Sequence, residues 1–368
     1  MLGPNFMSHV FTLVLAGGSG TRFWPASRKH RPKQVLGMGP DPSLPLIGHT
    51  LRRVTSLCPP EQMIVATGES LIDVTREALP QLGPSSFIAE PVARNTAPCI
   101  AWGAQVIARR DPEAVVMVLP SDHHIENEDE FRRILAVALE NAARGTITTV
   151  GIKPTRVETG YGYIEAEREL SPGILAVERF EEKPDEPTAQ RYVAGGKHLW
   201  NSGMFFFRAV DMLHAVERHL PAVHAGLQTI EQAVARGPEA EREATRQAFA
   251  SMPSISIDHG VMEKVKPLAV VPGSFGWSDL GSWHTVWELG KRDHADNVGP
   301  TDALFIDAHR NLIEDLRQKN KSVRTVALLG VSDLCIVETD DAILIMPRSR
   351  AQDVRAVVEE LTRRGGPV

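Results

Sequence analysis

Cysteine is scarce in this chain. Cys58, Cys99 and Cys335 are the three in 368 residues. They are odd in number, widely spaced and outside any metal-ligand spacing, which argues against a disulfide framework and a structural zinc site and points to a reduced, cytoplasmic protein. No apolar run approaches the roughly 20 residues that a membrane-spanning helix needs. The early run Val10–Ala16 is far shorter and has no basic flank before it, so it reads as a buried strand, and no membrane partner is expected. An excess of positive charge is lacking too. The formal net charge is −6, which leaves no electrostatic footprint for nucleic acid. Any anionic ligand must be met by a local cluster of Arg and Lys. With 42% hydrophobic and 23% charged residues, neither a disordered nor a collagen-like chain fits, and the length suits one large domain plus a smaller one.

What is present is an alternation of short apolar runs with helical patterns, the layout of βαβ units around a mainly parallel sheet. Strands are expected at Phe11–Ala16, Met63–Thr67, Val115–Leu119 and Thr146–Val150. A helix is expected over Ala97–Arg110, with Pro98 in its first turn and Asn95 or Thr96 as its cap. From Asp211 to about Ser251 the pattern turns helical, with Val223, Leu227, Ile230 and Val234 on one face and Gly237-Pro238 as a break. That stretch reads as an insertion in a domain spanning 1–290. Strand signals return in Val323–Leu329, Leu334–Val337 and Ala342–Met346, before an amphipathic helix carrying Val354, Val357, Val358 and Leu361, with Gly365 as its stop. Residues 291–368 are thus expected to form a small C-terminal β/α domain.

The segment Leu13–Gln34, LVLAGGSGTRFWPASRKHRPKQ, carries the sharpest information. A buried strand delivers Gly17, Gly18 and Gly20 into a tight loop, where backbone N–H groups can approach phosphate oxygens. Arg22 and Lys33 add the charge that amides lack. Two common glycine loops are excluded by spacing: Phe23 stands where the dinucleotide fingerprint needs its third glycine, and Arg22 where a Walker loop needs its lysine. A glycine loop alone also describes a tight turn with no ligand.

Asp122 follows the apolar run Val115–Leu119 through Pro120-Ser121, at the carboxyl end of a strand, where ligands of open α/β sheets collect. A lone Asp there is more often a turn or cap residue. A second carboxylate, Asp279, sits in the Gly- and Trp-rich turn Gly276–Trp283. Magnesium takes one or two carboxylates with phosphates and water, so two separated aspartates suffice; His123 and His124 read as supporting residues. Glu90–Pro98 (EPVARNTAP) precedes a helix and also describes a plain N-cap. Thr159–Ile164, Arg179–Pro184 and Trp200–Phe205 likewise describe strands, turns and a satisfied buried Asn as well as binding elements.

Taken in order over roughly residues 10 to 290, these elements resemble the sugar-phosphate nucleotidyltransferase family. Its GGxGxRxxP…PK signature is matched over Gly17–Lys33, with PSDH at Pro120–His123, an FxEKP element at Phe180–Pro184 and a WxDxGSW element at Trp277–Trp283. The full EPxxRNTAP string is similar to that of the guanylyltransferases acting on mannose 1-phosphate. The resemblance implies an α/β fold, a Rossmann-like, mixed, mainly parallel sheet (GT-A-like) with a small C-terminal β-rich element and terminal helix. It implies catalytic roles for Arg22, Lys33, Asp122 and Asp279, with Asp122 and Asp279 holding Mg²⁺ or, alternatively, Mn²⁺. Leu15, Gly17, Gly18, Gly20, Thr21, Glu90, Pro91, Arg94, Asn95, Thr96 and Ser121 would bind nucleotide, and Gly162, Tyr163, Glu182, Lys183, Asn201 and Gly203 the sugar phosphate.

The implied partners are GTP, mannose 1-phosphate and GDP-mannose. Alternatives that keep the motifs are another hexose 1-phosphate or a catalytically silent sugar-nucleotide sensor, against which the intact Arg22, Lys33, Asp122 and Asp279 argue; a dehydrogenase fails at Phe23. Some family members continue into a cupin isomerase, for which the residues after 291 are too few, so guanylyl transfer alone is expected. The tail lacks a run of hexapeptide repeats and is expected to pack on the core or on a second subunit, in which case the protein is a homodimer.

Overall fold

Apolar strands flanked by amphipathic helices build the larger part of the molecule. The computed structural model describes residues 4–18, 20–39, 41–317, 324–366 and 368. The chain divides into two compact units: Met1–Gly17, Thr50–Ser121 and Ile125–Trp277 form the first, and Gly18–His49, Asp122–His124 and Ser278–Val368 the second.

The first unit is organised on a mixed sheet. Its central strands lie in the order Phe87–Glu90, Met63–Gly68, Val10–Leu15, Val115–Pro120, His198–Arg208, Ile147–Ile152, Leu268–Gly273. All run in one direction except His198–Arg208, which is antiparallel to both neighbours. Strands covered on both faces need apolar residues at successive positions, and VFTLVL and VVMVLP supply them.

One face carries Phe11, Leu13, Val116, Val118, Phe205, Phe207 and Val270, in a single core with the helix Thr96–Arg110 and the helices Ala209–His219, Pro221–Val234 and Pro238–Ser251. Gly103 lets the first of these helices sit close, since a Cβ there would lie 2.5 Å from Leu13 Cδ2. Thr149 pairs with Val270 of that core, so Thr148 points to the opposite face. There Asn141 of the helix Glu128–Ala143 donates to its hydroxyl at 2.9 Å.

The second unit contains a three-stranded sheet, Leu312–Asp315 parallel to Leu334–Glu338, which is antiparallel to Ile343–Pro347. A separate parallel pair joins Leu304–Ile306 to Ala327–Leu329. Buried asparagines tie the connections: Asn311 Nδ2 donates to Asn297 Oδ1 at 3.0 Å, and Asn297 Nδ2 to the Ala308 carbonyl at 2.9 Å. Both amides are fully enclosed and hydrogen-bonded, as buried polar groups must be.

The early strands start and stop within two residues of the sequence reading. The helical stretch is three helices; Gly237, at φ 99°, and Pro238 at the first helical position separate the last two. The strand expected from Val323 is seen over Ala327–Leu329, Val323 itself lying outside the described residues. In the last helix, Val354–Arg363, Val354 is buried and Val358 and Leu361 pack on the core, but Val357 is exposed. The strands Phe87–Glu90, His198–Arg208 and Leu268–Gly273 were not among those expected. The longest is broken in pattern by Asn201-Ser202-Gly203, where the register slips between Asn201 and Phe205. All three cysteines are buried and unpaired.

Phe249 fastens the helical insertion, fully buried and edge-on to Trp102, with ring centroids 5.3 Å apart. Phe249→Ala is expected to lower unfolding free energy by about 3–5 kcal/mol, checked by urea denaturation.

Candidate active site

In the second unit, three residues far apart in sequence meet at one ammonium. Lys33 begins the short 3-10 helix Lys33–Val35 and is 5% exposed. Its Nζ donates to Asp122 Oδ2 at 2.9 Å and to the Asp279 main-chain carbonyl at 2.9 Å. The same ammonium lies 5.0 Å from the centre of the Phe23 ring. Burial pushes the Asp122 carboxyl up, but the Lys33 ammonium, His123 and the hydrogen bond from Lys33 outweigh it and hold the group below its ordinary range.

Glycines set the spacing. Gly20 has φ 58°, and a Cβ there would stand 2.6 Å from Lys33 Cβ, so the loop closes on the lysine only without a side chain. Its carbonyl accepts from Ser27 Oγ at 2.7 Å. A Cβ at Gly281 would lie 3.1 Å from Asp279 Oδ2, whereas one at Gly18 would meet nothing within 4 Å. Thr21 and Arg22 lie in the 3-10 helix Thr21–Phe23, whose Phe23 is buried edge-on against Trp283 at 5.1 Å. Trp283 Nε1 donates to the Trp24 carbonyl at 3.1 Å.

The first unit holds the remaining residues of interest. Leu15 ends its strand and accepts at its carbonyl from Ser121 N–H at 3.2 Å. Glu90 ends the strand Phe87–Glu90, with Pro91 half-buried after it. Glu90 is 7% exposed, its Oε1 has no hydrogen-bond partner, and its Oε2 is 3.7 Å from where a Gly17 Cβ would be. Burial pushes its carboxyl up to about 7, against a partial lowering by the Cys99 thiol.

Arg94, Asn95 and Thr96 are engaged with the protein's own backbone. Arg94 donates to the Phe249 carbonyl at 2.6 Å and to that of Ala250, closing the end of the helix Pro238–Ser251. Asn95, at φ 65°, caps the helix Thr96–Arg110 through Thr96 N–H at 2.8 Å, and Thr96 Oγ1 accepts from Ile257 N–H at 2.8 Å.

A second polar cluster surrounds Asn201. Its Oδ1 accepts from Gly203 N–H at 3.1 Å and its Nδ2 donates to Asp258 Oδ1 at 2.9 Å. Gly203 has φ 71°, and a Cβ at Gly162 would stand 2.5 Å from Glu182 Oε2. Glu182 is paired with Lys183, whose φ is 48°. Tyr163 is fully buried and donates its hydroxyl to the Glu158 carbonyl at 2.9 Å, and its main chain pairs with Trp200 and Glu181, the neighbours of Asn201 and Glu182.

Asp258 escaped the sequence reading because SISIDHGVME, with its single Gly260, carries no glycine-rich or paired-charge signature. Its segment, Asp258–Met262, winds as a π-helix, a rare feature frequent at functional sites. Burial and the neighbouring Glu182 raise its carboxyl to about 6, with Lys183 and the Asn201 hydrogen bond acting the other way. The one sequence signal was an Asp set among Ile255, Ile257, Val261 and Met262.

The family described as nucleotidyl transferase matches residues 11–296, and the one described as MannoseP isomerase/GMP-like beta-helix domain matches 302–361. The xanthan biosynthesis protein XanB of Xanthomonas campestris is 40% identical over 98% of this chain and 74% of its own length. The mannose-1-phosphate guanylyltransferase RfbM of Salmonella typhimurium is 37% identical over 95% of this chain and 72% of its own. A crystal structure from Thermus thermophilus, of a mannose-1-phosphate geranyltransferase, is 32% identical, covers 96% of this chain and 99% of that one, and superposes with a TM-score of 0.85. With the signature loop, both aspartate motifs and the EPVARNTAP string in place, the chain belongs to the mannose-1-phosphate guanylyltransferase family of nucleotidyl transferases.

Proposed function

We propose that this chain joins GTP to mannose 1-phosphate, forming GDP-mannose and pyrophosphate, with residues 1–290 as the catalytic region and 291–368 as a small C-terminal domain. The observation that carries the reading is the convergence of the Asp122 carboxylate and the Asp279 main-chain carbonyl on Lys33 Nζ, at 2.9 Å each. The attacking oxygen belongs to a phosphate that is already anionic, so no side-chain nucleophile or general base is required. What the protein must supply is positioning of two anions and neutralisation of their charge.

The carboxylates fit a hard divalent cation. Asp122 is held ionised by Lys33, and Mg²⁺, or Mn²⁺, takes one or two such carboxylates with phosphates and water completing the shell. Asp122 and Asp279 would hold that ion, which supplies charge neutralisation on phosphate oxygens. Lys33 and Arg22 stabilise the departing pyrophosphate, and the backbone N–H groups of Gly17, Gly18, Gly20 and Thr21 bind the triphosphate. Leu15 and Ser121 line the nucleotide with their main chains.

Glu90 supports a purine that offers donors. Its buried Oε1 lacks a partner, and an orphaned buried acceptor is stabilised by the N1–H and N2–H₂ edge of guanine. Pro91, Arg94, Asn95 and Thr96 shape and fasten the loop that carries it. On the sugar side, Glu182 and Asn201 meet hydroxyls, Lys183 takes the phosphate, and Gly162 and Gly203 give the clearance; Tyr163 and Asp258 hold these groups in place.

Pyrophosphate release with Mg²⁺, measured for GTP, UTP, dTTP and ATP crossed with mannose, glucose and galactose 1-phosphates, is expected only for GTP with mannose 1-phosphate. Release with another pair would change the substrate, and silence throughout would leave a sugar-nucleotide sensor. Lys33→Ala, Asp122→Asn and Asp279→Asn are each expected to turn over about 100- to 1,000-fold more slowly, and near-normal turnover in any of them removes that residue from the mechanism. Because protonation removes the acceptor, Glu90 with a carboxyl near 7 should make KM for GTP climb as pH falls from 8 to 6, approaching about tenfold per unit below 7. Glu90→Gln should lack that added slope; an identical profile in both proteins would show that Glu90 does not read the base.

A further inference from the structure

Two of the three arginines of the signature loop, Arg22 and Arg28, are held in opposite ways. Arg28 is neutralised: its Nη2 donates to Asp341 at 2.8 Å, its Nη1 to the Pro25 carbonyl, and its guanidinium lies 5.5 Å from the Trp24 ring centre. Arg22 is held by a neutral group, donating from Nη1 to Gln352 Oε1 at 3.1 Å. Among the described residues, no carboxylate pairs with it. Both partners, Asp341 and Gln352, come from the C-terminal region matched as a β-helix domain.

That region also carries the loop's apolar side. Phe23, Trp24 and Ala26 share one core with Leu344, Met346, Ala351 and Val354. The backbone of the loop is therefore fixed by burial, while the long, rotamer-rich Arg22 side chain needs a separate restraint. An amide oxygen is suited to the task. It occupies one of the five guanidinium donors and leaves the positive charge uncancelled for phosphate.

We infer that Gln352 is a positioning residue for Arg22, orienting its guanidinium for the nucleotide's phosphates without neutralising it. The inference rests on the reading of Arg22 as a phosphate-binding group. It gives the C-terminal region a part in phosphate handling besides its part in the fold.

The test is a double-mutant cycle in the full chain, read as kcat/KM for GTP, KM for mannose 1-phosphate and thermal midpoint. Gln352→Ala is expected to lower kcat/KM for GTP about 3- to 10-fold, the range of one lost hydrogen bond. Gln352→Glu should lower it further, because the new carboxylate cancels the charge. Neither should shift the sugar-phosphate KM or the midpoint, and in an Arg22→Ala background neither should have any further effect. Equal losses with and without Arg22, or a Gln352→Glu protein as active as the original, overturn the inference. If Arg22→Ala itself keeps full activity, the reading of Arg22 fails and the inference with it; if Arg22→Ala is impaired while the Gln352 variants are not, only the inference fails.

Discussion

The Lys33 ammonium is the constraint around which the second unit is arranged. A cation 5% exposed is costly to bury unless oxygens replace its water, and the loss of one partner leaves an uncompensated charge behind. Here the two oxygens come from Asp122 and from the Asp279 carbonyl. The lysine thus pins a strand exit and a Gly-rich turn to the signature loop, and any change that moves it moves both aspartates. The arrangement also keeps Asp122 ionised, since the ammonium opposes the effect of burial on the carboxyl. Structural cost and chemical readiness have one source.

Glycine is what makes that contact sterically possible, and it is also why this part of the site was legible. Gly20 must have φ 58° and no Cβ for the chain to pass Lys33, and such a requirement writes itself into sequence as a fixed glycine between a strand and a basic residue. Asp122 was legible through its place after an apolar strand. Asp279 needed the glycines and tryptophans around it, whose purpose is visible in space: Trp283 stacks edge-on against Phe23 and bonds the Trp24 carbonyl. Composition alone could show none of these pairings.

The parts that escaped are long-range or irregular. His198–Arg208 is a central strand, yet Asn201-Ser202-Gly203 breaks its alternation because the bulge there turns Asn201 toward Asp258 and Gly203 N–H. A polar triplet inside a strand reads as a loop until its partners are known. Asp258 lies in a π-helical turn, whose extra residue has no local sequence signature. Arg94, Asn95 and Thr96 were recognised as a string, but their side chains fasten the Phe249 and Ala250 carbonyls, a helix start and the Ile257 amide. For that string, recognition of a motif said more about where the loop is held than about which atoms meet a ligand.

A chain with net charge −6 that is to handle polyanions must keep its positive charges from being cancelled by its own carboxylates. Where a charge serves the fold, pairing with a carboxylate is harmless, as in Arg28 with Asp341. Where it is needed for a ligand, cancellation would remove the attraction before the ligand arrives. Arg22 meets this requirement by resting on an amide, whereas Lys33, like Arg28, meets one carboxylate and one main-chain carbonyl. A loop read from sequence shows three arginines and two lysines between Arg22 and Lys33; the partners, Asp122, Asp279, Asp341 and Gln352 among them, come from far along the chain and say how each charge is met.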